Sequence, residues 1–152
     1  MPFDLSAALP SLLPAAIAWA EQWAADIAAS GVPLTAEEAA LARLVGVGRP
    51  DLIRIKEVDQ VPEPADPALR QAALHAGLLG NETLGLTLGH GIFIRKGCRS
   101  TELVSHECRH VHQYEQMGSI AAFLPAYLRQ LARHGYRDAP FEVDARAHEI
   151  RG

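Results

Sequence analysis

The sequence predicts a mainly helical α+β domain with a small β-sheet beside a helix that carries a His-Glu-Cys-Arg-His run. Three observations predict it. Apolar residues recur at steps of three and four in the first third of the chain, and cap, glycine and proline signals mark further helices in the last; β-branched and glycine-punctuated runs gather between residues 51 and 95; and 152 residues suffice for one hydrophobic core but not for two ordinary ones. The expectation is therefore a single domain over 1–152, with N-terminal helices in 1–50, strands and a connecting helix in 51–100, and three further helices in 101–152.

From Ser11 to Ser30, the residues Leu13, Ile17, Ala20, Trp23, Ala24 and Ile27 share one helical face, and Gly31 stands where a helix ends. Thr35 and Glu38 make a capping box that opens a second helix through Leu41, Leu44 and Val45 to Gly46. Trp19 and Trp23, one turn apart on the first helix, are expected to pack against this second one. Asp51 to Val58 is rich in β-branched residues and precedes Pro62, Pro64 and Pro67, which predicts a strand and then a rigid connector. Asp66 or Pro67 opens a helix through Leu69, Ala72, Ala73, Ala76 and Leu79, closed at Gly80. Thr83 to Arg95 reads as one or two strands interrupted by glycine. Ser100 or Thr101 caps a helix that runs to Met117 and stops at Gly118; another spans Ile120 to His134; and Pro140 starts the last, from Phe141 to the C-terminus.

Composition narrows the function classes. A net charge of -4, a pI near 5.9 and scattered Lys and Arg residues do not make the basic surface that nucleic-acid phosphates require. Met1 to Leu5 lacks the positive residues of a secretory signal, and Glu21 and Asp26 interrupt the apolar stretch that follows. No run reaches the roughly 18 uncharged apolar residues that cross a bilayer. A cytoplasmic protein with no membrane partner is expected. Cys98 and Cys108 are expected to be free thiols.

The chemistry lies in the fourth predicted helix. Residues four apart project from one face, so His106 and His110 can bring their imidazoles to one metal ion. Glu107, one position on, is near enough to take a proton from a water at that metal without having to bind the ion itself. His112 is turned roughly 200° from His110 and leaves that face, as does Cys108. His75, His90, His134 and His148 read as helix-end, surface or loop residues, with His90 and His148 nearest the chemistry in sequence. Tyr136 reads as a packing residue that can also donate a hydrogen bond to an oxyanion.

The stretch from Thr101 to Glu115, Thr-Glu-Leu-Val-Ser-His-Glu-Cys-Arg-His-Val-His-Gln-Tyr-Glu, resembles the active-site helix of the zincin metallopeptidases, including the variant with Val and Gln after the second histidine found in small bacterial zincin-like proteins. The resemblance covers mainly residues 83–149. Gln113 and Gln116 stand where the metzincin pattern has Gly and His, and the Gly-Thr-x-Asp of the aspzincins is missing, which leaves the gluzincin pattern with a glutamate from a later helix as third ligand. Pro140-Phe141-Glu142-Val143-Asp144-Ala145 is similar to that glutamate helix and makes Glu142 the chosen ligand. Glu149, read as two turns further along the same helical face, is the alternative, and Asp144 falls on the other side. The resemblance implies a minimal zincin-like domain holding Zn2+ through His106, His110 and Glu142, with Glu107 as general base in a peptidase acting on a peptide or protein. It also implies that an extended substrate pairs with the strand beside the active-site helix, taken as Gly89 to Ile94. Two other readings stay open: a non-catalytic zinc-binding or protein-interaction domain with a closed cleft, and a structural protein in which the motif binds no metal.

Overall fold

The structure is a computed structural model that describes residues 3–152. Among these, the elements run α1 Leu5–Ser30, β1 Val32–Pro33, α2 Ala36–Leu44, a 3-10 turn at Pro50–Leu52, β2 Arg54–Val58, α3 Pro67–His75, β3 Gly85–Leu88, β4 Gly91–Arg95, α4 Thr101–Met117, α5 Ile120–Asp138 and α6 Pro140–Ala147. This is the mainly helical α+β arrangement the pattern predicts. No described helix is long and apolar enough to cross a membrane.

The sheet has the order β1-β2-β4-β3, with β2 and β4 parallel and the outer pairs antiparallel. Alternation along β4 assigns its residues to two cores. Ile92 and Ile94 pack with Ile53, Ile55 and the α4 residues Val104, Cys108 and Val111, whereas Phe93 belongs to the cluster built by α1 and α5. A strand buried on both faces reads as an unbroken apolar run, which is what Ile92-Phe93-Ile94 is. Helix α1 lies close on this strand: a Cβ at Gly91 would stand 3.1 Å from Ile27, so any side chain there would push the helix or Ile27 back. The sheet is thus held between α1 on one side and α4 on the other.

Several boundaries differ from those read in the sequence. Helix α1 begins at Leu5, capped by the Asp4 side chain, and carries Pro10 and Pro14 inside it. Each proline removes a helical hydrogen bond, but the buried stripe of Leu9, Ala16, Ala20 and Ile27 fixes the helix from outside. Its tryptophans do not pack on α2. Trp23 meets Phe93 edge-on at 5.3 Å, and α2 packs on α4 instead. The first central strand starts at Arg54, because Pro50 to Leu52 form a 3-10 turn, and the two residues of β1 add an edge that the pattern did not announce. Helix α3 stops at His75 where Gly77 turns to φ +76°, so Leu79 reaches the core from a loop. Gly135, at φ +79° and ψ 166°, breaks α5 where the sequence ends it, and Tyr136 to Asp138 make one further turn. Helix α6 ends at Ala147, so the C-terminal residues leave the helical axis.

Arg99, just before α4, ties this helix to α2 through two bonds to Glu38 of 2.8 and 2.7 Å, and the same carboxylate closes the Thr35 capping box. The guanidinium, more than burial opposes it, holds the Glu38 carboxyl below its ordinary value of 4.5. A depressed carboxylate adds stability above that ordinary value and loses it as pH falls through the folded value. Arg99→Gln is therefore expected to cost about 1 kcal/mol of unfolding free energy at neutral pH and progressively less in acid. Denaturant titrations of both proteins at about pH 7 and about pH 3 measure this; an equal gap at both would mean that Arg99 acts through packing.

Candidate metal centre

Helix α4 is capped at Ser100, whose side chain accepts the Leu103 N–H, and ends at Gly118 in the left-handed region, both as its sequence requires. Its middle is buried: His106, Glu107 and His110 are 9%, 5% and 6% exposed. The i, i+4 spacing puts the two imidazoles on one face with ring centroids 5.0 Å apart. Facing them is Glu142, 2% exposed, in the first turn of α6. One oxygen lies 3.2 Å from His106 Nε2 and the other 3.1 Å from His110 Nε2. One donor atom from each of the three residues falls within 4.8 Å of the others.

The outer ring nitrogens determine what the inner ones can do. His106 Nδ1 lies 2.7 Å from a Glu149 carboxylate oxygen, and His110 Nδ1 lies 2.8 Å from the Gln113 side-chain oxygen. Both partners can only accept, so each Nδ1 carries the proton and each neutral ring turns an Nε2 lone pair toward Glu142. Three electron-rich groups then face one another out of water, and a cation must lie among them, either protons or a metal ion. Without a metal, burial pushes the His106 imidazolium down, but Glu142, Glu107 and Glu149 outweigh it and pull the group up to about 9. His110 is raised by Glu142 against the same opposition, and Glu142 is held far below the carboxylate range by the two histidines although burial would raise it. Two imidazole nitrogens and one carboxylate, each oriented by a further group, are a donor set that fits zinc.

The expected histidines and Glu142 thus come together, and the supporting residues are partly new. Gln113 sits one turn beyond His110 and passes its two N–H groups to Phe141 O and Asp144 Oδ2. Asp144 also receives the Arg109 guanidinium, so from behind Gln113 it braces the His110 side of the site. Tyr127 of α5 donates to Glu142 at 2.6 Å. Glu149 differs from its expected place: it follows the end of α6 and is not on the Glu142 face of that helix. It sits behind His106, held there as Ile150 N–H bonds the Ser105 hydroxyl. Gln113 had a visible signal, its i+3 spacing from His110. Tyr127 and Thr87 had none, because only tertiary folding brings α5 and β3 to α4.

Glu107 points toward the sheet, where the Thr87 hydroxyl donates to its Oε1 at 2.8 Å. Its Oε2 would be 3.2 Å from a Cβ on Gly85, so the missing side chain leaves space beside the carboxylate. The Gly135 break carries Tyr136 to the same place. Glu107, Glu142, Gly85 and Tyr136 border both an open cleft of about 1460 Å³ and an inner cavity of about 80 Å³. Burial, then the Glu142 and Glu107 charges, raise the Tyr136 hydroxyl well above its ordinary value, so it stays protonated and able to donate.

The other histidines are spent elsewhere. His112 bonds Gly46 O, His90 pairs with Glu115, His148 bonds Asp144 O, and His75 meets the Phe3 ring. His134 is exposed on the far side of α5. Cys108 lies in the core on the opposite face of α4, and burial pushes its thiol up to about 12; Cys108 and Cys98 are both free.

A donor directly facing the other two should matter more than a brace behind a ring. Glu142→Ala is expected to weaken zinc binding by several hundredfold, Glu149→Ala and Gln113→Ala by about 10-fold to 100-fold, and Asp144→Ala by less, as it acts through Gln113. Chelator competition measures all four. A larger loss for Glu149→Ala than for Glu142→Ala would move the third ligand to the C-terminal segment.

No protein-family model, no curated protein and no solved structure matches this chain.

Proposed function

We propose that the chain is a small zinc-dependent hydrolase, a zincin-type peptidase in which His106, His110 and Glu142 hold the metal and Glu107 is the general base. The observation that carries this reading is the position of the donor set. It borders an open cleft together with a carboxylate, Glu107, that is fixed beside it by Thr87. A closed structural site has no use for such a cleft, whose volume exceeds that of an ordinary small-molecule pocket.

A zinc ion bound here supplies Lewis acidity and lowers the pKa of a coordinated water toward about 7. Glu107 is the group that would take up a proton on the carboxylate oxygen that Thr87 leaves free and deliver it to the departing amine. The Tyr136 hydroxyl, kept protonated, is placed to donate to the oxygen of the carbonyl under attack. Tyr127 and the Gln113 to Asp144 chain keep Glu142 and His110 from turning, which preserves the geometry through the proton transfers.

Substrate alignment cannot use Gly89 to Ile94 as the resemblance implied. Strand β4 is paired on both sides, by β2 and β3, and has no free edge. The edge beside α4 is β3. Arg95 N–H bonds Leu84 O, so Leu84, Leu86 and Leu88 aim their peptide groups at β4 and, by alternation, Gly85 and Thr87 aim theirs away. Tyr114 already donates to Thr87 O. Gly85 is left to offer its peptide groups to an extended chain in the cleft.

The purified protein is expected to hold about one zinc per chain. Glu107→Gln is expected to keep that metal while losing at least about a hundredfold in peptide hydrolysis, since the amide cannot accept a proton. Elemental analysis together with cleavage of a peptide library tests both statements. A metal-free chain sinks the zinc reading; a zinc-loaded chain whose cleavage is the same in wild type and variant removes Glu107 as base; and a zinc-loaded chain that cleaves nothing makes it a binding domain.

A further inference from the structure

Away from the metal centre, α1 and α5 leave between them a groove of about 680 Å³, which shares only Leu9 with the inner cavity and no residue with the open cleft. Its two walls differ in chemistry. On the α1 side stand Leu9, Pro10 and Leu13. This helix carries no charged residue from Leu5 to Ala20, and the carboxylate of Asp4, just before it, accepts the Ala7 N–H. On the α5 side stand Arg129 and Arg133, one turn apart and both exposed. Other arginines of this fold are paired, Arg49 with Asp51, Arg99 with Glu38 and Arg109 with Asp144, whereas Arg129 and Arg133 enter no ion pair among the described residues. Between them lies Gln130, whose side-chain oxygen accepts the Phe141 N–H at 2.9 Å, so its NH2 is the part left to donate. No carboxylate lines the groove. A chain of net charge -4 thus gathers unpaired cations and donors along one wall and aliphatic surface along the other.

We propose that this groove is a docking site for an acidic amphipathic helix of a partner protein, whose carboxylates meet Arg129 and Arg133 and whose apolar side chains rest on Leu9, Pro10 and Leu13. Charge complementarity selects the sign of the occupant, since two guanidinium groups and an amide NH2 offer donors only. Its shape follows from the groove. From Ser6 to Leu13 the α1 wall spans two turns, about 10 Å, beside a second helix, and a third helix can lay one face into such a space. On that helix, Glu residues at i and i+4 repeat the spacing of Arg129 and Arg133. A flat anionic bilayer does not enter a concave space, and a phosphate group alone would leave the apolar wall uncovered. Because none of the groove residues borders the open cleft, binding here is separable from the chemistry at Glu107 and does not rest on the hydrolase reading.

The test uses the full-length chain, its zinc content checked, and three fluorescein-labelled helical peptides of about 16 residues. One has Glu at i and i+4 beside a leucine stripe, the second has Lys in place of each Glu, and the third has Ser in place of each leucine. Fluorescence anisotropy is expected to show the first binding at least about 10-fold tighter than either of the others. The double variant Arg129→Glu, Arg133→Glu should lose at least about 10-fold for that peptide and come to prefer the Lys peptide. Pro10→Glu puts a like charge on the apolar wall, at an exposed position where the helix gains by losing a proline, so this second variant keeps its fold and should bind the Glu peptide several-fold more weakly. Equal affinities for the Glu and Lys peptides, equal affinities for the leucine and serine peptides, or binding unchanged in both variants overturns the proposal. So does displacement of the peptide by vesicles of phosphatidylcholine and phosphatidylserine, which would give the groove to a membrane surface. A dimeric mass in light scattering that falls to a monomer in the double variant would give it to a second copy of this chain and overturn the partner helix as well.

Discussion

A carboxylate with almost no access to water stands between two imidazole nitrogens, and the second half of the fold is arranged to hold it there. Glu142 has Tyr127 on one oxygen and a histidine against each. Burying a carboxylate alone costs several kcal/mol, so α6 can dock on α4 only if positive charge accompanies it. Two routes give the same local charge. Two imidazolium ions with one carboxylate sum to +1, and so do a divalent metal, one carboxylate and two neutral rings. A cluster that has the same net charge in both forms can exchange protons for a metal without reorganising the helices around it.

Helix α4 bears nearly all of this because its faces do different work. One face, with Val104, Cys108 and Val111, is the floor of the second core and rests on Ile92 and Ile94. Another offers Arg109, His112 and Glu115 to the loop at residues 45–49, where they meet Val45 O, Gly46 O and the N–H groups of Gly48 and Arg49. The third presents the donor set. A helix anchored on two sides has little freedom to rotate, so the imidazoles are held in place by contacts remote from them. The same anchoring reaches the base: β4 is pinned by α1 through Gly91, β3 is registered on β4, and Thr87 of β3 holds Glu107.

What could be read in the sequence was whatever depends on local spacing. The capping box at Thr35, a cap at Ser100 or its neighbour, the stop at Gly118, the end of α5 near His134, the convergence of His106 with His110, and Pro140 opening the Glu142 helix are each set within four or five residues, where helix geometry leaves few outcomes. Features that depend on long-range packing were not legible. Pro10 and Pro14 argue locally for a break that the buried face of α1 overrides. Glu149 has the right chemistry and the right heptad spacing from Glu142, yet the helix ends at Ala147 and the chain folds back to reach the other side of the His106 ring. Thr87 and Tyr127 carry no local signal for their contacts, and the pairing of β4 on both sides follows from the strand order, which no stretch of residues encodes alone.

The distinction between a structural and a hydrolytic zinc site rests on the fourth ligand. Structural sites close the tetrahedron with protein, whereas catalytic ones leave one position to water or substrate. Near this donor set, each side chain able to close it is engaged elsewhere among the described residues. Cys108 is in the core with a thiol that burial keeps protonated, His112 bonds Gly46, Glu149 is held behind His106, and Asp144 is shared by Arg109 and Gln113. Glu107 is adjacent but fastened to Thr87, with a glycine opposite its other oxygen. These placements separate the candidate ligands from the candidate base, and they direct the remaining side of the site to the cleft. A site evolved only to fasten α6 to α4 would have had a use for one more donor; this arrangement instead leaves a proton acceptor and an open approach, which is what supports reading it as a centre for hydrolysis.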